Sequence, residues 1–461
     1  MLSLLASRAA SRMVPADQVQ STYLRLRMRA LFGIFFGYMA YYLVRSNFTL
    51  STPYLQSELG FSKTDIGLLS TCMLITYGIS KGVMSSLADK ANPKLYMVAG
   101  LLMSACVNLV MGFSTAFWMF TALVIANGIF QGMGVGPAFI TIANWFPRAS
   151  RGRIGAFWNV SHNLGGGLVA PIAGVSLALF GSEHWQGASY WAPAAIATTV
   201  AFLVLFLGAG LTYNEGLPPL KEILPEEAKK ELVSGSDHAP ENMSAKEIFR
   251  KYVLKNKNVW YVSLLDVFVY MVRFGVITWL PLYLLHEKDF SKAQMGFAYA
   301  FFEWAAIPST LLAGYVTDRY FRGRRMPLAI VCMAIIFCAL TVYWQADSLL
   351  VIGAAVSVIG CLIYVPQFLA SVQTIEFVPG YAVGSATGLR GILSYVLGAS
   401  LGASMFGVLV DRFGWHAGFY LLLGGALMGM VFGYLTHRGA MELENDKSRL
   451  DAEAKLAEAA A

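Results

Sequence analysis

Charge is scarce in this chain of 461 residues: only 13% are Asp, Glu, Lys or Arg, roughly half the share usual in a soluble domain. With 57% hydrophobic residues and a mean hydropathy of +0.57, that deficit excludes an ordinary soluble enzyme. Cysteine is sparse too. Cys72, Cys106, Cys332, Cys338 and Cys361 all lie in apolar stretches without short ligand spacing, so neither a disulfide framework nor a zinc site is expected. The first 29 residues hold five arginines and lack an apolar core followed by a small-residue cleavage site, so no removable signal peptide is expected. Missing as well are a Walker motif, which leaves ATP without a binding loop, and any nucleophile and base pair or metal cluster within the apolar stretches. Enzyme chemistry, a metal and a cofactor are therefore not expected.

What is present is apolar sequence spread along the whole length, in pieces of the roughly 20 residues that a bilayer span requires. Six spans fall near 30–50, 66–88, 95–113, 117–140, 154–180 and 190–211, and six more near 258–285, 293–316, 327–346, 348–371, 381–410 and 414–437. The expected fold is an all-α polytopic membrane protein of twelve transmembrane helices in two six-helix bundles. It divides into an N-terminal segment 1–29, a bundle 30–212, a partly helical linker 213–257, a second bundle 258–437 and a tail 438–461. The linker carries eight basic and eight acidic residues, and 446–461 is rich in Ala, Glu and Lys, as in a solvated helix or frayed tail.

The net charge of +7 would suggest nucleic acid in a soluble protein, but basic loops beside apolar spans are what the positive-inside rule produces. Of the 34 basic residues, 26 fall in the N-terminus, the even-numbered loops, the linker and the tail. Four (Lys63, Lys288, Lys292, Arg412) fall on the other side and four within spans. Both termini are therefore expected in the cytoplasm, with the lipid bilayer as partner and no nucleic acid.

The halves repeat. Asp89-Lys90 matches Asp318-Arg319 and Pro137 matches Pro366, each 229 residues on, while Trp145-Phe146-Pro147 and Gly152 match Phe377-Val378-Pro379 and Gly384 at an offset of 232. Parallel repeats of this kind relate two bundles about an axis along the membrane normal and put a substrate site between them near the midplane.

Ionisable residues within spans mark that site, since a charge at the bilayer centre costs about 2.5–3.5 kcal/mol on insertion scales. Arg45, Lys81, Arg273 and Arg390 are cations; Asp266 and Glu303 are the acids at comparable depth. With His162 neutral, the interior carries a surplus of about two positive charges, which suits an anionic substrate. Arg45 and Arg273 are 228 residues apart, close to the repeat offset, and two facing guanidinium forks suit a phosphate. Taken singly, each also fits a side chain snorkelling to a membrane surface.

Tyr38, Tyr41, Tyr42 and Arg45 form a helical stripe at i, i+3, i+4 and i+7. Tyr270 and Arg273 lie one turn apart with Asp266 a turn earlier, and Tyr77 with Lys81 and Trp158 with His162 are i, i+4 pairs. Phenols beside cations orient a phosphate in a polar cavity; an aromatic belt is the other reading of any one tyrosine. His162 suits a phosphate whose second pKa is near 6, or else a hydrogen bond between helices. Arg390 has no acid at i±3 or i±4; either Asp266 neutralises it across the bundle, or it reads a substrate carboxylate. Gly165-Gly166-Gly167 and Gly384, Gly388 and Gly391 are expected at close helix packing, or at hinges.

At Tyr38-Met39-Ala40-Tyr41-Tyr42-Leu43-Val44-Arg45, from Trp158 to Gly166, and at Tyr270-Met271-Val272-Arg273, the chain closely resembles the organophosphate:phosphate antiporters of the major facilitator superfamily. The resemblance runs from about Thr22 to Gly439. It implies two six-helix bundles and rocker-switch exchange of an organic phosphate for inorganic phosphate. Arg45 and Arg273 would then bind phosphate, and Lys81, His162, Tyr38, Tyr42, Tyr77 and Tyr270 would line the cavity. Tyr364 and Tyr395 match further lining positions, and Glu303 a polar position of the second half. The stretches 47–55 and 302–308 look most like the phosphoglycerate-carrying members. From the glycerol-3-phosphate branch the chain departs at Ser46, Val135, Asp266 and Arg390, where that branch has lysine, tryptophan, asparagine and an uncharged residue. The expected substrates are therefore phosphoglycerates and phosphoenolpyruvate, with Trp158, Asp266 and Arg390 counted among the binding residues and a monomer as the working unit. The other functions compatible with these residues are a membrane sensor of organophosphates, an antiporter for glycerol-3-phosphate or sugar phosphates, and a proton-coupled symporter.

Overall fold

The computed structural model describes residues 5–6, 8–88, 91–181, 183–225, 243–321, 323–379 and 382–460, with backbone alone at 148, 149, 245 and 446–460. Among them, twelve long helices follow in order. They are α1 (Val19–Leu59), α2 (Lys63–Ala88), α3 (Pro93–Met111), α4 (Phe117–Trp145), α5 (Arg148–Phe180) and α6 (Gly187–Leu207), then α7 (Lys257–His286), α8 (Lys292–Trp304 and Ala306–Tyr320), α9 (Met326–Gln345), α10 (Leu349–Glu376), α11 (Val383–Phe413) and α12 (Trp415–Ala460). Each expected span lies on one of them. Ten are long and apolar enough to cross a bilayer by composition alone. The other two are α1, diluted by tyrosines and Arg45, and α8, interrupted at Ala305. The interruption has a local cause: Pro308 has no N–H for the Trp304 carbonyl four residues earlier. The repeat at Asp89-Lys90, and 226–242 of the linker, lie outside the described residues. Helix α12 continues unbroken to Ala460, so the end of the tail is helical.

Close packing within each bundle comes from small residues, as expected where lipid removes the hydrophobic drive between helices. On α4, Gly128, Gly132 and Gly136 recur every four residues, and a Cβ at any of them would strike α2 at Met73, Ser80 or Ser85. On α11, Gly398 and Gly402 let α7 approach at Val267 and Met271. Around them α11 widens into π-helical turns, Ser394–Ala399 and Leu401–Met405, a distortion often found at functional sites. Helix α1 leaves helical geometry at Val44 (φ −93°, ψ 17°). The freed Val44 carbonyl accepts from Asn108 Nδ2 and Asn127 Nδ2, both at 2.9 Å, and Gln131 Nε2 donates to the Tyr41 carbonyl at 3.0 Å. Three buried amides thus satisfy the unwound backbone immediately before Arg45, as irregular backbone at membrane depth requires.

The bundles meet at the end away from the termini and part at the end that carries them. At the far end, the Asp411 carboxylate on α11 accepts from both the amide and the hydroxyl of Thr64 at 2.6 Å, so one bundle caps the first turn of α2 in the other. Ser404 donates to the Gly67 carbonyl (3.0 Å), and its hydroxyl lies in hydrogen-bond contact with that of Thr71 (2.7 Å). Between α5 and α8, Gly166 and Gly167 lie against Glu303 and Trp304. At the terminal end, by contrast, a Cβ built on Gly82, Gly152, Gly155, Gly384, Gly388 or Gly391 meets nothing within 4 Å. Packing was expected at Gly384, Gly388 and Gly391. The structure corrects this: Gly165 packs on Met39 of α1 and Gly166 and Gly167 on α8, while the three on α11 face no neighbour.

Candidate functional site

Helix α7 is buried along nearly its whole length, and Arg273 at its middle has a side chain fixed by two hydrogen bonds. One guanidinium nitrogen donates to Gln367 Oε1 and another to the Tyr364 hydroxyl, each at 3.0 Å. Tyr364 in turn donates to Glu303 Oε2 (2.8 Å), which also accepts from Asn163 Nδ2 (3.0 Å) across the bundle interface. Arg45, on the unwound part of α1, lies instead against aromatic faces, 3.9 Å from the Tyr77 ring centroid and 5.2 Å from that of Tyr42. Its NH1 is buried without a hydrogen-bond partner. Both arginines are 5% exposed, which removes the snorkelling alternative, and among the described residues neither forms an ion pair.

Between the arginines a closed collar of eight residues runs through six helices. From Arg45 it passes to Tyr42, then His162 (5.2 Å between rings) and Tyr364 (5.5 Å), whose ring lies 4.2 Å from the Arg273 guanidinium. From Arg273 it returns through Tyr270 (6.0 Å), Tyr395 (5.0 Å) and Tyr77 (5.2 Å) to Arg45. The collar crosses between bundles twice, at His162 to Tyr364 and at Tyr77 to Tyr395, so both bundles must move for it to open. The His162 Nδ1 is engaged with the carbonyl of Asn159 one turn back, which orients the ring.

Other expected site residues fall elsewhere. Trp158 donates from Nε1 to the Ile34 carbonyl (3.3 Å) and packs between Tyr38 (4.6 Å) and Phe139 (5.2 Å), so it backs Tyr38. Tyr38 reaches the collar edge at Tyr42 (5.5 Å). Tyr41 leaves the stripe: its hydroxyl donates to the Met97 carbonyl on α3 at 2.8 Å. Lys81 is half-buried on the open side, without a hydrogen bond or ion pair among the described residues. Arg390 requires a correction. It is not an unpaired cation, because its NH1 lies 2.5 Å from Asp266 Oδ2, which also accepts from Ser394 at 2.7 Å. Sequence neighbours could not show this, since the partner is on another helix.

A small cavity of about 40 Å³ lies between the collar and the closed far end, lined by Tyr42, Arg45, Arg273 and Glu303 together with hydroxyl residues. Such a volume is room for a few waters, so in this closed form it admits one end of a small ligand and not the whole. Gln367, Asn163 and the hydroxyl residues were not expected as site residues. Their signal was an amide or hydroxyl at the depth of the arginines, weaker than a charge but of the same kind.

Residues 34–403 match the family described as Major Facilitator Superfamily. The chain belongs to this superfamily, within its group of organophosphate transporters, and is a multi-pass membrane protein. It is 62% identical over 447 residues to the phosphoglycerate transporter protein of Salmonella typhimurium (97% of this chain, 96% of the other). To the glycerol-3-phosphate transporter of Bacillus subtilis it is 39% identical (91% and 94%), and to the hexose-6-phosphate:phosphate antiporter of Salmonella typhimurium 33% (91% of each). In fold it is similar to an inward-facing, unoccupied bacterial homolog of the human lysosomal transporter Spinster, with a TM-score of 0.70 at 14% identity, covering 90% of this chain and 97% of that one.

Proposed function

We propose that the protein exchanges phosphoglycerates and phosphoenolpyruvate for inorganic phosphate across a bacterial cytoplasmic membrane, by alternating access and as a monomer. The observation that carries this reading is the collar: two buried arginines, one per bundle, neither in an ion pair. A phosphate dianion between them accepts charge-assisted hydrogen bonds from both and draws the bundles together. Without an anion the like charges resist closure, so the empty carrier returns slowly and exchange is favoured over net flow. The gradients of the two anions supply the energy. The excess of basic residues on the terminal side puts that side in the cytoplasm, and the open mouth then faces inward. The 62% identity to a phosphoglycerate transporter supports the three-carbon substrates over glycerol-3-phosphate and hexose phosphates.

The test is counterflow in proteoliposomes loaded with phosphate, following labelled 3-phosphoglycerate against glycerol-3-phosphate and glucose-6-phosphate as competitors. Uptake that requires internal phosphate and resists both competitors is expected. Binding without exchange would replace the antiporter by a sensor; uptake driven by a proton gradient without internal phosphate would replace it by a symporter.

A further inference from the structure

Helix direction fixes which residues lie beyond the collar. Going from the collar toward the closed end, α1 and α7 run forward from Arg45 and Arg273 to Ser46, Thr49 and Thr278. Helices α2 and α8 run backward from Tyr77 and Glu303 to Ser70 and Tyr299. All five of these hydroxyl residues line the cavity beside the two arginines. They come from four helices and both bundles. Tyr299 on α8 and Ser46 and Thr49 on α1 face the same cavity from opposite bundles.

Ser70 and Thr278 depart from the usual arrangement of helical serines and threonines, as Ser161, Thr310 and Ser400 also do, but unlike those three they border the cavity. A hydroxyl at membrane depth ordinarily folds back on a carbonyl one turn earlier, as Thr141 does on Pro137 (2.8 Å), Ser263 on Val259 (2.6 Å), Thr374 on Ala370 and Thr436 on Phe432 (both 2.7 Å). Ser70 and Thr278 are 4% and 3% exposed, yet among the described residues their hydroxyls make no hydrogen bond, and both border the cavity. A buried hydroxyl left without a partner is costly unless water or a ligand meets it.

We propose that these hydroxyls form a second subsite, which receives the carboxylate and hydroxyl end of a three-carbon organic phosphate whose phosphate lies between Arg45 and Arg273. This rests on the exchange function proposed above and deepens it. Hydroxyls suit that end better than a third cation. They donate to a carboxylate and also accept from a substrate hydroxyl, and they add no charge that would hold an anion too tightly for release. Inorganic phosphate has no such end, so it occupies the arginines alone and leaves the hydroxyls to water.

The subsite and the arginines are thereby separable. In Thr278→Val, which keeps the shape of the side chain, and in Ser70→Ala, binding of 3-phosphoglycerate and of inorganic phosphate to the purified protein is measured beside phosphate:phosphate exchange in proteoliposomes. The expected result is a loss of about tenfold in 3-phosphoglycerate affinity in each variant, the size of one hydrogen bond to a charged group, with phosphate affinity and self-exchange held within about twofold. Equal losses for both ligands, or none for either, overturn the subsite. If the unmodified protein binds phosphate but no phosphoglycerate, the proposed substrate falls by itself. The subsite is then judged on whichever organic phosphate the protein does bind, glycerol-3-phosphate or glucose-6-phosphate, by the same ratio to phosphate.

Discussion

Arg45 and Arg273 stand at matching positions of the two halves, yet the protein holds them by different means. Both lie against aromatic rings and both leave one buried nitrogen unpartnered, but Arg273 also makes directional bonds to Gln367 and Tyr364, whereas Arg45 rests on the faces of Tyr77 and Tyr42. Ring faces restrain a guanidinium in height but leave it free to turn, whereas hydrogen bonds set its plane. The second bundle thus presents a preset fork, and the first a fork that can turn onto the ligand. Arg390 supplies the contrast to both: it is paired with Asp266. A pseudo-symmetric pair need not be equivalent, and a cation within a span need not face the substrate.

The largest expected effect removes the forks themselves. Arg45→Lys and Arg273→Lys keep the charge but lose the planar bidentate contact, and each should lower phosphate:phosphate exchange by about 100-fold or more, since a charge-assisted pair contributes several kcal/mol. Exchange above a tenth of normal in either variant would show that point charge suffices.

Arg390→Ala should act on folding, because it strands the buried Asp266 carboxylate. Losing one partner of a buried ion pair costs about 3–5 kcal/mol, to be read as a large fall in melting temperature in detergent. Arg390→Ala combined with Asp266→Asn should regain much of it. A changed ranking of substrates at unchanged stability would instead return Arg390 to the carboxylate-reading role.

The arginine comparison itself is sharpened by two tyrosines. Tyr364→Phe removes the hydroxyl between Arg273 and Glu303 and should weaken phosphate binding about tenfold, at the scale of a hydrogen bond to a charged group. Tyr77→Phe keeps the ring under Arg45 and should change binding by about threefold or less, while Tyr77→Leu, which loses the ring, should cost about tenfold on the scale of a desolvated cation–π contact. Equal effects of the two phenylalanine variants would erase the distinction between a bonded and a stacked arginine.

The smallest expected effect concerns the shut end. Asp411→Asn weakens the cap on Thr64, and loss of a charged cap is on the order of 1 kcal/mol. That should shift the population several-fold toward the state open at the end away from the termini, seen as faster labelling of a cysteine placed at Ser404 from that face. Unchanged labelling would assign closure to the packing of α5 against α8.

Much of this was legible in the chain. Twelve spans follow from hydropathy, because each must satisfy lipid along its own length, and the repeat follows from offsets at Pro137 and Pro366. All eight collar residues were expected as site residues: six because a charge, or a phenol or imidazole beside one, stands out at membrane depth, and Tyr364 and Tyr395 because the resemblance to the family implied them. What was misplaced, or missed, turns on partners from other helices. Arg390 looked unpaired because Asp266 is 124 residues away, and Tyr41 shares a face with Arg45 in an ideal helix but not across the Val44 kink. Gln367 and Asn163 carried no charge to single them out.

The sequence by itself determined that this protein lives in a bilayer, as two related bundles with cationic residues at the midplane, because hydropathy, repeat and charge are properties of single segments. Only the tertiary structure decided which cations face the cavity, which are neutralised and which end is shut. Those depend on distances between helices, and no helix carries that information alone.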